Sequence, residues 1–173
     1  MVRKIEQIQV RPATMADLET VVAFNAALAK ETEQRDLDLS TLRAGVKAIF
    51  QDSKKGWYAI AEQTIDSGET EVMGQILVTF EWSDWRNANF WWLQSLYVGQ
   101  KHRQKGVFRR LFEYVQTQAH DNQEDISGFR LYVEQENDQA HQAYAHLGFQ
   151  ETVYRMYEKK LSAQHVSTPS SAS

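Results

Sequence analysis

The sequence predicts a mixed α/β protein in which helices pack on a sheet with both parallel and antiparallel neighbours. Its 173 residues fit one domain with a substantial core. Strand-like and helix-like periodicities follow one another in the order β-α-α-β-β-β-α-β-α-β, and the β-α-β unit near the middle requires a parallel pair. No internal repeat or interdomain linker interrupts that order.

Composition narrows the class further. Hydrophobic residues make up 42% and charged residues 24%, as in ordinary globular chains rather than disordered or membrane-spanning ones. A formal charge of -4 leaves no surplus of Lys and Arg to neutralise a nucleic-acid backbone or anionic lipid, so neither partner is expected. The absence of cysteine excludes disulfides, thiolate metal sites and Cys nucleophiles together, and fits a cytoplasmic location. Met1 to Gln9 lacks the apolar core of a signal peptide, and no run approaches the roughly 18 apolar residues of a membrane span. The Ser-rich end, Ser162 to Ser173, reads as a disordered tail, which leaves residues 1–161 as a single domain.

Ile5 to Arg11 reads as a first strand ending before Pro12. Thr14 with Asp17 resembles a capping box, and Leu18, Val21, Val22, Asn25 and Leu28 form the stripe of the helix it opens. Glu31, Thr32 and Glu33 form an acidic connection to a second helix, with Ser40 as its cap and Leu42, Val46, Ile49 and Phe50 inward. Trp57 to Glu62 and Val72 to Trp82 make an antiparallel hairpin around the turn Asp66-Ser67-Gly68. After a second turn, Ser83 to Asn87, the nearly uncharged run Asn89 to Val98 reads as a strand covered on both faces and therefore central. Val107, Leu111 and Val115 then fall at helical spacing, as do Phe108, Phe112 and Ala119. Phe129 to Glu134, Asp138 to Leu147 and Gln150 to Lys159 complete the order as strand, helix and last strand.

The chemistry concentrates in Leu93 to Arg110, LQSLYVGQKHRQKGVFRR. A central strand runs into a turn holding Arg103, Gln104, Lys105 and Gly106, and a helix begins at once. Helix N-termini expose unpaired amides and a partial positive charge, so such a turn is a candidate phosphate or pyrophosphate site; as a bare basic turn it also reads as solvated surface. It carries neither G-x-x-x-x-G-K-[ST] nor G-x-G-x-x-G with a downstream acid.

This stretch resembles motif A of the GNAT N-acetyltransferase family, a strand ending in Val followed by R/Q-x-x-G-x-G/A, through Val98, Arg103, Gly106 and Phe108. Downstream, Leu131, Val133, Asn137, Ala140, Tyr144, Gly148 and Phe149 match the family's L-x-V-x3-N-x2-A-x2-[FYA]-Y-x3-GF. Arg11-Pro12-Ala13-Thr14 with Asp17 resembles its usual opening. The resemblance implies the GNAT fold: a mixed central sheet of six to seven strands, splayed between its two central strands and flanked by about four helices. It also implies acetyl-CoA as co-substrate, and no metal.

Carried onto this chain, the resemblance gives main-chain groups of Leu96, Tyr97 and Val98 to the pantetheine arm and the amides of Arg103, Gln104, Lys105, Gly106, Val107, Phe108 and Arg109 to the pyrophosphate. Phe108 departs from the family's Gly or Ala, so its ring must turn away, along the stripe with Phe112. Asn137 becomes a polar contact to the pantetheine, and Tyr144 the acid that protonates the departing thiolate; as plain helix residues they read as a cap and a half-buried core tyrosine.

The attacking amine must lose a proton. Where family members often carry a Glu on the central strand, this chain has Gln94 and Ser95, which leaves Glu81 and Glu134 as substitute bases or as solvated strand-end carboxylates. Glu31, Glu33, Glu81 and Asp84, with Trp82, Trp85, Trp91 and Trp92, would border a pocket for a small cationic amine. Phe80 to Leu93 is also similar to the diamine and thialysine acetyltransferase branch. The tryptophans equally read as a buried aromatic core or as part of a homodimer interface. His102, His120, His141, His146 and His165 offer no metal arrangement and read as surface residues. The expected activity is transfer of acetyl to a primary amine in a ternary complex, with a non-catalytic acyl-CoA-binding module and a protein acetyltransferase as the competing readings.

Overall fold

The computed structural model describes residues 8–122 and 125–159, which form two compact units divided between Gln135 and Glu136. Ile5, His165 and the tail 162–173 lie outside the described residues.

The first unit is one five-stranded sheet in the order β1-β2-β3-β4-β5: β1 (Gln9–Pro12), β2 (Trp57–Thr64), β3 (Thr70–Ser83), β4 (Ala88–Val98) and β5 (Ile126–Arg130). The first four pair antiparallel and β4 pairs parallel with β5, so the sheet is mixed as expected. Among the described residues it holds five strands rather than six to seven. Gln150 to Lys159 forms no strand: it has no ladder partner among the described residues, and Val153 and Tyr157 are 93% and 89% exposed. Alternating apolar residues make a strand only where an edge accepts them. The expected Phe129 to Glu134 strand lies three residues earlier, and β3 rather than β4 is the middle strand.

Helices α1 (Leu18–Glu33) and α2 (Leu39–Gln51) cover one face, where Val21, Val22, Val46, Tyr58 and Leu77 form a buried cluster. The turn before α1 is fixed by Asp17, whose Oδ2 accepts from the Thr14 N–H at 2.7 Å and the Thr14 hydroxyl at 3.1 Å. Arg11 ties the same carboxylate, and that of Glu62, to β1. Two expectations shift here. Glu31 to Glu33 are the last residues of α1 rather than a connection, and α2 is capped by Asp38, not Ser40, through a bond from the Thr41 N–H at 2.7 Å.

Helix α3 (Val107–Asp121) covers the other face and buries the anticipated stripe of Val107, Leu111, Phe112 and Val115. An aromatic layer joins it to the sheet: Trp57 lies edge-on to Trp91 and Tyr114 at 5.7 and 6.3 Å, and Phe112 edge-on to Phe129 at 5.4 Å. Such contacts are worth about 0.5–1.5 kcal/mol each beyond the area they bury. The second unit holds α4 (Asp138–His146).

Candidate active site

Strand β4 changes character along its length. Its β5 partners run only from Asn89 to Trp92, so among the described residues Leu93 to Val98 is paired on one side, by β3. The sheet therefore opens at this point, as the splayed strands of the expected fold require. In the open part Gln75 pairs with Tyr97 and Leu77 with Gln94, which sets Ser95 and Leu96 against the single residue Ile76. That is a β-bulge, and Ser95 has a φ of 45° within it. A left-handed conformation at a non-glycine residue costs about 1–3 kcal/mol and persists where the surroundings impose it.

The bulge shifts the side-chain phase, so that Gln94 and Tyr97, three apart, both face α1 and α2. Tyr97 stacks near Phe24 at 5.2 Å, and its hydroxyl donates to Glu31 Oε1 at 2.8 Å. Past the bulge the strands close tightly: a Cβ on Gly74 would lie 2.7 Å from the Tyr97 carbonyl oxygen, a distance only glycine avoids.

Beyond Val98 a 3-10 turn, Gln100–His102, leads into Arg103–Gly106 and α3. Gln104 and Gly106 both have positive φ, 62° and 81°, and a Cβ on Gly106 would meet nothing within 4 Å. Two left-handed residues bend the chain sharply into the start of α3, and a helix N-terminus, with its unpaired amides and partial positive charge, suits an anion. Arg103, Gln104, Lys105, Gly106 and Arg109 are exposed on this turn, while Val107 is 2% exposed and anchors the helix.

Arg103 is not a free cation. Its Nη2 donates to Glu31 Oε2 at 2.5 Å and its Nε to the Val98 carbonyl at 3.0 Å, while the guanidinium lies 5.7 Å above the Tyr97 ring. Glu31 thus ties α1 to both the strand and the turn. Its burial raises its pKa, but bonds from Arg103, Tyr97 and Gln100 outweigh this, and the net shift is downward. Burial, with the Glu31 contact added, pushes the Tyr97 phenol up. Phe108 turns as expected, with its ring centroid 6.4 Å from that of Phe112.

His102, expected at the surface, is 3% exposed, and both ring nitrogens are buried without a hydrogen bond among the described residues. The turn folds the ring inward against Gly99, whose Cβ would meet it at 3.3 Å. Burial lowers its pKa, Lys101 and Lys105 lower it further, and Glu71 at 3.7 Å opposes them.

The fully paired half of β4 carries a different cluster. Glu81 accepts from the Trp92 indole N–H through Oε2 and from Arg130 through Oε1 at 2.6 Å; Arg130 lies 3.7 Å over Phe90 and Arg86 5.1 Å from it. Desolvation raises the Glu81 pKa, but the bonds from Trp92 and Arg130 win, leaving a carboxylate of reduced basicity. Glu134 is exposed, outside any strand. An open cleft of about 370 Å³ lined by Trp82, Asn87, Asn89 and Asp125 lies at the hairpin end of β4. Asn89 and Val98 are nine strand residues apart, roughly 30 Å, so this cleft is remote from the bulge and turn.

In the second unit Asn137 caps α4, its Oδ1 accepting from the Ala140 N–H at 3.1 Å. Tyr144 is half-buried with its ring edge-on to Phe149 at 6.0 Å, and burial raises its pKa. The first unit thus brings together Leu96, Tyr97 and Val98 with the turn from Arg103 to Arg109, and it holds Glu81 and Glu134. Asn25, Gln75 and Gly74 belong to the same surroundings but carried no sequence signal beyond helix stripe and strand. Among the described residues no group of three or more His, Cys, Asp or Glu could hold a metal ion, and no helix is long and apolar enough to cross a membrane.

No curated protein sequence matches the chain. Among solved structures, a possible acetyltransferase from Clostridium difficile 630 is 44% identical, with a TM-score of 0.79 over 91% of this chain and 99% of its own. An aminoglycoside N-acetyltransferase solved in complex with CoA shares the fold at 18% identity, with a TM-score of 0.73 over 92% of this chain and 99% of its own. A ribosomal-protein-alanine N-acetyltransferase from Brucella melitensis biovar Abortus 2308 does so at 13% identity, with a TM-score of 0.68 over 90% and 100%. Residues 21–149 match the profile of the acetyltransferase (GNAT) family, a span that runs from α1 through the bulged strand, the turn and α4. With an open strand edge, an amide-lined turn and that match falling on the same residues, the chain belongs to the GNAT acetyltransferase family.

Proposed function

We propose that the protein is an N-acetyltransferase that moves acetyl from acetyl-CoA to the primary amine of a small acceptor, by direct attack in a ternary complex. The observation that carries this reading is the one-sided pairing of Leu93 to Val98 beside the turn of alternating left-handed residues. An extended, amide-containing arm pairs with such an edge as an added strand would, and a diphosphate suits the turn.

In this reading the main chain of Leu96, Tyr97 and Val98 holds the pantetheine. Amides from Arg103 through Gln104, Lys105, Gly106, Val107 and Phe108 to Arg109 hold the pyrophosphate. Arg103 acts mainly by fixing the turn through Glu31. The Phe108 ring lies beside that of Phe112, which supports a ring turned away from the cofactor; the missing strand Glu is the other ground for a non-catalytic reading. Asn137 orders the start of α4. Tyr144, protonated at neutral pH, donates to the departing thiolate. Glu81, paired with Arg130 and weakened as a base, orients the amine, and Glu134 is the carboxylate assigned to proton removal.

The acceptor is assigned as a small primary amine. Its cationic character rests on Glu33 and Asp84, since Glu31 and Glu81 already have arginine partners. Release of free CoA thiol in the presence of a polyamine, amino acid and aminoglycoside panel tests the proposal. Turnover with at least one small amine is expected; tight acetyl-CoA binding with no turnover on any amine, small or peptidyl, would return the chain to the non-catalytic reading.

A further inference from the structure

Behind the bulge lies a buried polar chain that packing alone does not call for. Gln75 on β3 is fully buried, and its Nε2 donates to Asn25 Oδ1 on α1 at 3.0 Å and to the Ser95 carbonyl at 3.3 Å. Asn25, 7% exposed, donates in turn to the Tyr58 hydroxyl on β2 at 3.1 Å. Three strands and a helix thus converge on one carbonyl, that of the residue in left-handed conformation. Buried amides are costly unless bonded, so a network of this kind specifies a geometry that an apolar core would leave free.

The consequence runs through one peptide group. The Ser95–Leu96 peptide is planar and trans, as are the peptide bonds among the described residues. Holding the Ser95 carbonyl toward Gln75 therefore aims the Leu96 N–H to the opposite side. Because the bulge breaks the regular ladder at this point, that direction is not set by strand pairing.

We propose that Gln75, braced by Asn25, is a positioning residue: by fixing the Ser95 carbonyl it holds the bulge and aims the Leu96 N–H at the acyl-CoA arm. The direction of the N–H follows from the free protein alone; its ligand rests on the function proposed above.

The test is Gln75→Met, which keeps length and removes the donor, followed by a crystal structure of the ligand-free variant and calorimetric titration with acetyl-CoA. The Ser95–Leu96 peptide should rotate and the Kd for acetyl-CoA rise about tenfold, the equivalent of roughly one hydrogen bond. Asn25→Leu should reproduce this more weakly. Ser95→Gly placed on Gln75→Met should recover part of the affinity, because glycine accepts positive φ without restraint; a residue that only stabilised the fold would recover melting temperature but not affinity. An unrotated peptide in Gln75→Met, or a Kd within twofold of wild type, overturns the inference. If the wild-type chain binds no acetyl-CoA while the peptide still rotates in the variant, the positioning stands and the functional reading fails.

Discussion

The two halves of β4 do different work with the same kind of backbone. From Asn89 to Trp92 the strand has partners on both sides, and its side chains make the distinctive contacts: Trp91 in the aromatic layer, Trp92 bonded to Glu81. Among the described residues, Leu93 to Val98 is paired on one side and bulged, and its main chain is the surface proposed to hold the cofactor, while Tyr97 ties it to α1. A strand satisfied on both edges offers only side chains; one that loses a neighbour offers a ladder.

The comparison can be sharpened first by separating reaction from binding. Tyr144→Phe removes the proposed thiolate donor and leaves every residue of β4 as it is. Turnover should fall on the order of 100-fold while the acetyl-CoA Kd stays unchanged. An unaltered turnover rate, measured where chemistry is limiting, would make Tyr144 a packing residue of the second unit.

The next largest effect falls on the bulged half. Gly74→Ala would set a Cβ against the Tyr97 carbonyl at 2.7 Å and against Val98 Cα at 3.3 Å, both main-chain atoms that cannot swing aside. Overpacking of this kind costs about 1–3 kcal/mol, so a melting temperature on the order of 5 °C lower is expected. A melting curve like wild type would mean that β3 and β4 separate easily here.

Glu31→Ala should act on the same half from outside the sheet. Losing the acceptor shared by Tyr97, Gln100 and Arg103 frees the turn. Acetyl-CoA affinity should fall about tenfold, the equivalent of about 1.4 kcal/mol. Glu33→Ala, on the same helix end without those bonds, is the control; equal losses from the two would point to net charge rather than to the clamp.

What the sequence makes legible divides along the same line. The stripe of α3 and the capping box at Thr14 and Asp17 are repeated side-chain patterns, and burial follows such patterns directly. The turn from Arg103 to Gly106 is legible because Gly106 marks a left-handed backbone position directly before a helix. The bulge is not. Asn89 to Val98 contains no glycine, and the left-handed residue is a serine whose carbonyl accepts from Gln75, a residue distant in sequence that also bonds Asn25. β5 lies away from its expected place because a parallel strand's register is set by its neighbour, here Asn89 opposite Ile126. His102 lies between Lys101 and Arg103, a surface signature that the 3-10 turn overrides.

That histidine gives a pH test of the open end. Its folded pKa lies below the ordinary value near 6.5, chiefly through burial, so the unfolded chain binds more protons in the interval between the two. The contribution to stability is present above pH 6.5 and is lost as pH falls through the depressed value. Wild type should lose more melting temperature between pH 7.5 and 5.5 than His102→Leu does, and parallel losses would assign the acid sensitivity elsewhere.

The smallest expected effect belongs to the fully paired half. Glu81→Gln keeps an acceptor for Trp92 but discharges the partner of Arg130. Both side chains are substantially exposed, 40% and 33%, and pairs of this kind contribute about 0.2–1 kcal/mol, so stability should barely change. The informative readout is kinetic. If the paired half orients the acceptor and the bulged half holds the cofactor, the variant should raise the KM for the amine several-fold and leave the acetyl-CoA Kd within error. With Arg130 no longer compensated, the loss should be greater for a cationic amine than for a neutral one. A turnover rate reduced about 100-fold or more, with the acidic limb lost from its pH profile, would instead make Glu81 the base and move proton removal from Glu134 to the cluster beside Trp92.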